Sequence, residues 1–141
     1  MKQTTIAWAA IFIFLVGFAS PFFTGNAIAS PLDFSIKSVV YPSVKADMPF
    51  IANITFSNSG SISATYARYK YEILGRFGNV VYSYSDYVGV FPAKGDVLIT
   101  TPAYVTIPAG KYKIKIAIDS DNAFDELDET NNVWEEDLTI K

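Results

Sequence analysis

Apolar and polar side chains alternate along most of this chain after residue 30, and this alternation limits the folds available to it. In "GKYKIKIAID", Tyr112, Ile114 and Ile116 fall on one side and three lysines fall on the other. A repeat of two residues is the period of a β-strand that is buried on one face. No stretch after residue 30 keeps a helical period. The pattern therefore predicts an all-β domain.

Turn-forming residues separate the segments that carry this pattern. The stretches "NSGS", "GRFGN", "PAKGD" and "IPAG" supply Gly, Pro, Asn and Asp to the breaks. About seven short strands with regular turns are typical of an antiparallel β-sandwich of immunoglobulin-like type. Tyr112 follows the "IPAG" turn, where a tyrosine corner would bond its hydroxyl to nearby backbone. The predicted strands are Phe34–Val40, Phe50–Ser57, Ala67–Leu74, Val80–Tyr87, Val97–Thr101, Gly110–Asp119 and Val133–Ile140.

Composition excludes several classes of function. The 141 residues have the length of one domain. The 14 acidic and 11 basic residues give no basic footprint, so no nucleic-acid partner is expected. Cysteine and histidine are absent, which excludes disulfides, Cys/His zinc sites and any catalytic triad that needs an imidazole. The domain must therefore be held together by packing.

The first segment has the features of a secretory signal peptide helix, which divides the chain into residues 1–29 and a β-domain at residues 30–141. A single lysine precedes an apolar run, and Ala27 and Ala29 then match an A-x-A cleavage signal. An uncleaved anchor is the alternative, because the run approaches the length of about 20 residues that spans a membrane. We expect a mature protein that begins at Ser30 and is secreted or held at the cell surface. Membrane contact is expected only if the first segment is retained.

The stretch "IDSDNAFDELDETNN" gathers six carboxylates from the end of the sixth predicted strand onward, with no Lys or Arg among them. One interpretation is a loop whose carboxylates accept hydrogen bonds from its own backbone. Asp121 and Asn122 suit an Asx-type turn, and Asp125 suits the cap of one helical turn. Phe124 and Leu127 are expected to cover the end of the core, and the two final asparagines to close the loop. This interpretation requires no cofactor, and a chelator would leave the melting temperature almost unchanged.

A bound calcium ion is the alternative for this loop. Calcium takes six to eight oxygen ligands, and the loop is rich in carboxylates. The spacing does not fit an EF-hand, which needs a glycine and a bidentate glutamate at fixed positions. Another geometry would still satisfy the ion. The candidate ligands are Asp119, Asp121, Asp125, Glu126 and Glu129.

The order of these motifs resembles the CARDB family, the cell-adhesion-related domain of bacteria and archaea. The family is marked by a strand that ends in Asp, followed by D-x-D-N…E-x-x-E-x-N-N and a closing strand. The upstream "ITFSNSGSISA" resembles the family's "v-x-N-x-G" segment, with Asn58 and Gly60 at its fixed points. The resemblance implies an immunoglobulin-like domain on secreted or surface proteins that makes contacts rather than catalysing a reaction. The matching loop positions are Asp119, Asp121, Asn122, Glu126, Glu129, Asn131 and Asn132.

These observations favour an exported, non-enzymatic module for cell-surface adhesion or protein interaction, with other surface proteins or glycans as partners. Catalysis is not expected, because the carboxylates lie in one short loop rather than across a cleft. One alternative is a fibre or envelope subunit that assembles by strand addition, with residues 30–35 as the donated strand. Another is a carbohydrate-binding module, although alternation places two of its tyrosines in the core. The tyrosines of the two adjacent strands are Tyr66, Tyr69, Tyr71, Tyr82, Tyr84 and Tyr87.

Overall fold

The computed structural model describes residues 31–101 and 106–141, and every regular element in these ranges is a β-strand. The predicted signal peptide, its helix and the cleavage point before Ser30 lie outside the described residues. Within the described part of the chain, no helix has the length and apolarity needed to cross a membrane. The strands are β1 (Phe34–Val40), β2 (Asn53–Asn58), β3 (Ala64–Leu74), β4 (Val80–Phe91), β5 (Gly95–Thr100), β6 (Gly110–Ile118) and β7 (Val133–Ile140).

The seven strands form two packed antiparallel sheets, which confirms the predicted all-β sandwich. One sheet has three strands in the order β1-β2-β5, and the other has four in the order β4-β3-β6-β7. Every pairing of neighbouring strands is antiparallel. The strands β3, β6 and β7 correspond to strands C, F and G of an immunoglobulin-like domain, and β4 lies at the edge beside β3.

The core lies between the sheets and consists of the residues that the alternation selects. In β2, Ile54 and Phe56 are fully buried, as are Ile114 and Ile116 in β6. Burying one such side chain contributes about 1.5–3 kcal/mol relative to leaving it exposed. The largest fully buried side chains are Tyr71, Phe34, Phe56, Phe91, Ile54, Ile73, Ile114, Ile116, Ile118, Val88 and Asn58.

Tyr112 and Trp134 lie at the margin of this core. Both are partly buried and pack against it. The Tyr112 hydroxyl donates a hydrogen bond to the carbonyl oxygen of Pro108 at 3.0 Å. This contact is the predicted tyrosine corner, and it fixes the chain where it enters β6.

The strand β4 extends further than its sequence predicts. The alternation ends near Tyr87, but the strand continues to Phe91. Gly89 interrupts the apolar pattern, yet the pairing with β3 continues beyond it. Phe91 is fully buried and stacks on Phe34 with ring centroids 4.8 Å apart, which holds the extension against the core.

Candidate functional site

The loop between β6 and β7 closes one end of the sandwich, and Asp119 determines its path. Asp119 follows the last residue of β6, is 5% exposed and has a left-handed φ of 47°. Its two carboxylate oxygens accept hydrogen bonds from the N–H groups of Ala123 at 3.0 Å and Phe124 at 3.1 Å. The Asn122 N–H also donates to the carbonyl oxygen of Asp119 at 2.9 Å. A backbone turn supported by the Asp119 side chain therefore reverses the chain directly after the strand, in place of the Asx-type turn expected at Asp121 and Asn122.

The helical turn predicted from Asp125 to Asp128 is wrong, because this stretch contains no helix. Glu126 instead forms an isolated parallel bridge with Leu32, just before β1. Asp128 accepts hydrogen bonds from the hydroxyl of Thr130 at 2.6 Å and from its N–H at 2.9 Å, and these bonds lower the pKa of Asp128. At Glu126 the loop backbone thus pairs with a segment far away in sequence.

Of the two large apolar residues in the loop, one covers the core. The Phe124 ring packs edge-on against Phe34, with ring centroids 5.6 Å apart. Leu127 is 54% exposed, so the prediction that it also covers the core is wrong. The Leu127 N–H donates to the carbonyl oxygen of Leu32 at 2.9 Å, and this bond holds the backbone while the side chain faces solvent.

Glu126 ties the loop to the first strand. Its Oε2 accepts a hydrogen bond from the N–H of Phe34, the first residue of β1. Its Oε1 accepts a bond from Nδ2 of Asn132 at 2.9 Å. The same nitrogen lies 3.4 Å from Oε2 of Glu129, whose Oε1 accepts from the N–H of Glu126 at 3.0 Å. One side-chain amide therefore joins two carboxylates, and the end of the loop is closed as expected.

A second set of contacts holds the residues that lead into β1. The Asp33 side chain accepts a hydrogen bond from Nδ2 of Asn131 at 3.0 Å. Across from it, the fully buried Asn58 accepts from the N–H of Gly60 at 3.0 Å. A Cβ on Gly60 would lie 2.0 Å from the carbonyl oxygen of Pro31, so only glycine fits there. Sequence patterns had singled out the Asn58 turn, but no local signal pointed to Asp33.

Three of the carboxylates form a cluster at this end of the sandwich: Asp119, Glu126 and Glu129. One oxygen from each lies within 4.8 Å of the others. Asp119 is buried, Glu126 is half-buried and Glu129 is exposed, so the cluster reaches from the core to solvent. The other two candidate ligands from the sequence, Asp121 and Asp125, do not belong to this cluster.

Burial makes ionisation of two carboxyl groups in this cluster less favourable than in water. Desolvation raises the pKa of Glu126 to about 7, although hydrogen bonds from Phe34 and Asn132 act in the opposite direction. Desolvation also raises the pKa of Asp119. The ion pairs found within residues 31–101 and 106–141 all lie away from this loop. No side-chain cation in that part of the chain therefore balances the three carboxylates.

These residues fit a divalent cation of the hard, oxygen-binding type. Carboxylate and amide oxygens are the ligands that calcium prefers. Asn132 is 6% exposed, and its Oδ1 is buried without a hydrogen-bond partner in the described part of the chain. The amide faces Glu126 and Glu129 with its Nδ2, so the oxygens presented at the cluster are those of the three carboxylates. Softer metals prefer Cys or His ligands, and the chain has neither.

No protein-family model and no curated protein matches the chain. Solved structures do match it. The CARDB domain of a Pyrococcus furiosus protein, in complex with di-metal ions, has a TM-score of 0.63 at 20% identity and covers 79% of this chain and 94% of its own. A domain of a candidate cell surface protein from Methanosarcina acetivorans has a TM-score of 0.60 at 18% identity, with coverage of 78% and 92%. This chain has a CARDB-like fold.

A third match is to part of an enzyme. A β-glucuronidase of glycoside hydrolase family 2 has a TM-score of 0.55 at 16% identity, over 77% of this chain but 11% of the enzyme. The CARDB-like sandwich therefore resembles one portion of that protein.

The CARDB-like sandwich buries some of the tyrosines on β3 and β4. Tyr69 and Tyr71 are core residues, as their alternation in β3 predicts. Among the tyrosines of these two strands, Tyr66 and Tyr87 expose more than half of their surface, at 70% and 51%. The area available for stacking on a sugar is therefore smaller than the number of tyrosines suggests.

A groove of about 530 Å³ lies at the opposite end of the four-stranded sheet from the carboxylate cluster. It is formed by the β3–β4 turn, the start of β6 and the end of β7, and its lining includes Arg76, Lys111, Glu135 and Asp137. Its lining carries both basic and acidic side chains, so the groove does not select ligands of one sign of charge.

Proposed function

We propose that the chain is an exported, non-catalytic surface module whose acidic loop binds a divalent cation, with calcium as the ion that best suits the ligands. The module contacts other surface proteins or glycans, and the ion holds the loop end of the sandwich in one conformation. The observation that carries the proposal is the cluster of Asp119, Glu126 and Glu129, whose charge no described side-chain cation balances.

Two further observations support the cation. The cluster joins the loop to the start of β1 through Glu126, so an ion bound there would hold two distant parts of the chain together. A solved CARDB domain with a similar fold is in complex with di-metal ions. The ligand chemistry favours calcium, because a flexible set of oxygens suits calcium better than the strict octahedron of magnesium.

The surface role is supported by the predicted signal peptide and by the fold shared with a domain of a candidate cell surface protein. A hydrolase is disfavoured by the contacts of the carboxylates. The two carboxyl groups of a glycosidase flank the scissile bond and act on it directly. Here all four carboxylate oxygens of Asp119 and Glu126 accept hydrogen bonds from the protein itself.

Among partners, proteins are favoured over glycans because the sandwich buries Tyr69 and Tyr71. Strand donation by residues 30–35 is disfavoured for a different reason. Phe34 is fully buried, and Ser35 pairs with Ser57 in the same chain. Donating this segment would remove β1 from its own sheet.

The cation is tested by thermal unfolding of the exported protein with a chelator, with calcium and with magnesium. Calcium at about 1 mM should raise the melting temperature by several degrees, because extracellular calcium modules bind at about 0.1–1 mM and ligand binding to the folded state stabilises it. Asp119→Asn and Glu126→Gln should each abolish the rise.

The matched control is Asp121→Asn, which removes an equal charge from the same loop but outside the cluster. This variant should keep the calcium response. If no divalent ion changes the melting temperature, the carboxylates serve only as hydrogen-bond acceptors and the proposed cation site is wrong. An equal loss of response in all three variants would point to general charge screening rather than a site.

A further inference from the structure

The central strand of the three-stranded sheet contains a sequence that export pathways modify. In β2, Asn53, Ile54 and Thr55 form Asn-x-Thr without a proline in the middle, which is the acceptor sequence for an N-linked glycan. The other asparagines of the chain have no Ser or Thr two positions later. The surroundings of this one side chain therefore decide whether the folded domain can hold such a glycan.

The fold turns the acceptor side chain outward. Ile54 is fully buried, so alternation along β2 places Asn53 and Thr55 together on the outer face of the sheet. Asn53 is exposed, and its Oδ1 accepts a hydrogen bond from the hydroxyl of Thr100 at 2.9 Å. Its Nδ2, the atom that a glycan would join, donates no hydrogen bond to a residue in the described ranges. A sugar on this nitrogen would therefore displace no contact of the described chain.

Exposed apolar side chains surround Asn53 on this face. Val40 of β1 lies directly opposite Asn53, and Leu98 of β5 lies opposite Thr55, which places it about 7–8 Å from Asn53 along the diagonal. Val40 is 62% exposed and Leu98 is 65% exposed. Ile51, two residues before Asn53, is 38% exposed. Exposed apolar side chains that lie together mark a surface that something covers more often than single ones do.

The outer faces of the two sheets differ in how they meet water. On the four-stranded sheet, outward lysines pair with outward glutamates in three ion pairs. On the three-stranded sheet, the single ion pair of the described residues joins Lys37 to Asp96, which lies opposite Ser57 at the far end of β2 from Asn53. The part of this face around Asn53 has apolar and hydroxyl side chains instead, and a bulky, solubilising sugar chain suits it.

We propose that Asn53 carries an N-linked oligosaccharide, which covers Val40 and Leu98 on the outer face of the three-stranded sheet. The donor is a lipid-linked oligosaccharide, in which C1 of the first sugar is bonded to an oxygen of a lipid phosphate. A transferase of the export pathway forms the bond from that C1 to Nδ2 of Asn53. The bond from C1 to the phosphate oxygen breaks, the lipid phosphate leaves, and one amide proton passes to solvent.

Transfer during export acts on an extended chain, so the position of the acceptor sequence within a strand does not prevent it. The folded domain then requires only that the modified side chain faces solvent, as Asn53 does. The proposal rests on the export that is part of the proposed function, and it is independent of the acidic loop.

The test is the intact mass of the full chain exported by a cell whose pathway contains an oligosaccharide transferase. The same cell exports a reporter with Asn-Ile-Thr in a loop, which shows that the transferase is active. We expect the mass of the polypeptide plus that of a whole oligosaccharide. An amidase that cleaves N-linked glycans should remove the sugar and leave an aspartate in place of Asn53, which peptide sequencing locates.

Matched substitutions separate the acceptor sequence from the surface around it. Thr55→Ala removes the hydroxyl that completes the sequence and should lose the whole oligosaccharide, whereas Thr55→Ser should keep it. Thr100→Ala is the control, because it removes a second threonine from the same face, and its hydrogen bond to Asn53, but leaves the acceptor sequence intact. This variant should keep the sugar.

Hydroxyl-radical labelling measures whether the sugar covers the apolar side chains. Labelling of Val40 and Leu98 should be about twofold or more lower with the sugar than after its removal, because a bulky sugar chain reduces the surface that solvent reaches. Leu127 in the acidic loop and Val133 on β7 are 54% and 49% exposed and lie away from this face. Both should be labelled equally in the two forms.

An exported chain without sugar, beside a modified reporter, overturns the proposal and leaves the surface role of the domain intact. Sugar that persists in Thr55→Ala, or that Thr100→Ala also loses, overturns it as well. So does equal labelling of Val40 and Leu98 in the two forms, which would leave this face to a protein partner. A full-length chain that stays inside the cell contradicts export, and with it both proposals.

Discussion

The strand β6 and the acidic loop that follows it meet at Asp119, yet different forces hold them. Ile114, Ile116 and Ile118 in β6 are at most 1% exposed and are held by apolar packing. The loop is held by hydrogen bonds that Asp119 accepts from the backbone of the loop itself and that Glu126 accepts from the N–H of Phe34 in β1. Packing of β6 depends little on solution conditions at a given temperature, whereas the loop depends on charge. One continuous piece of chain therefore combines an element held by apolar packing with one held by groups that can ionise.

The largest expected effect tests the strand β6, which is held by apolar packing. Replacing Ile116 with Ala removes a fully buried side chain and should cost about 2–5 kcal/mol of unfolding free energy. Denaturant unfolding measures the loss. The loss should be the same with calcium and with a chelator, because the cavity forms in the core. Lys111→Ala, on the exposed face of β6, is the control and should stay within about 0.5 kcal/mol of the parent. An equal midpoint for Ile116→Ala would show that β6 is not held by packing.

A smaller effect is expected where the loop touches the core. Phe124→Ala removes the edge-on contact with Phe34 and should cost about 1–3 kcal/mol, since the ring is only partly buried. Leu127→Ala changes the other large apolar residue of the same loop, which is 54% exposed, and should cost less than about 0.5 kcal/mol. Equal losses in the two variants would mean that the loop contributes to stability as a whole rather than through one packed ring.

The sequence predicted the sandwich because its evidence is local and repeated. In β6, each buried isoleucine is two residues from the next, so the period identifies the strand and its inner face together. The hydrogen bond from the Tyr112 hydroxyl to the turn before β6 was predictable because it is also local, since its partner Pro108 is four residues away. The end of β4 could not be predicted in this way, because Phe91 is held by its stacking on Phe34, which is far away in the sequence.

The loop was predicted less well, for a related physical reason. Its composition indicated carboxylates that accept backbone bonds, and this is what Asp119 does. The choice of which carboxylate plays which role depends on the start of β1, through Phe34 and Leu32. No spacing within the loop encodes that contact. The same contact brings Glu126 beside Asp119 and leaves Asp121 outside the cluster.

The smallest effect concerns protons and separates the two regions most directly. The pKa of Glu126 is raised to about 7 in the folded protein, above the ordinary value of 4.5, chiefly by desolvation. The folded state therefore binds more protons than the unfolded state between these values, so stability falls as pH rises from about 4.5 to 7. The raised pKa of Asp119 acts with the same sign. The change should stay below about 1 kcal/mol, because Glu126 is partly exposed and solvent screens it.

Unfolding free energies in chelator at several pH values measure this slope, and two variants show where it originates. Glu126→Gln keeps an oxygen for the N–H of Phe34 but cannot ionise, so the decrease between pH 4.5 and 7 should shrink. Ile116→Ala should shift the whole curve down and leave its slope intact, because β6 packs without titrating groups. Calcium should oppose the decrease, since an ion bound as proposed would hold the ionised carboxylates and would stabilise the folded state more as they lose their protons. A slope that persists in Glu126→Gln, or that Ile116→Ala changes, would mean that the loop and the strand respond as one unit.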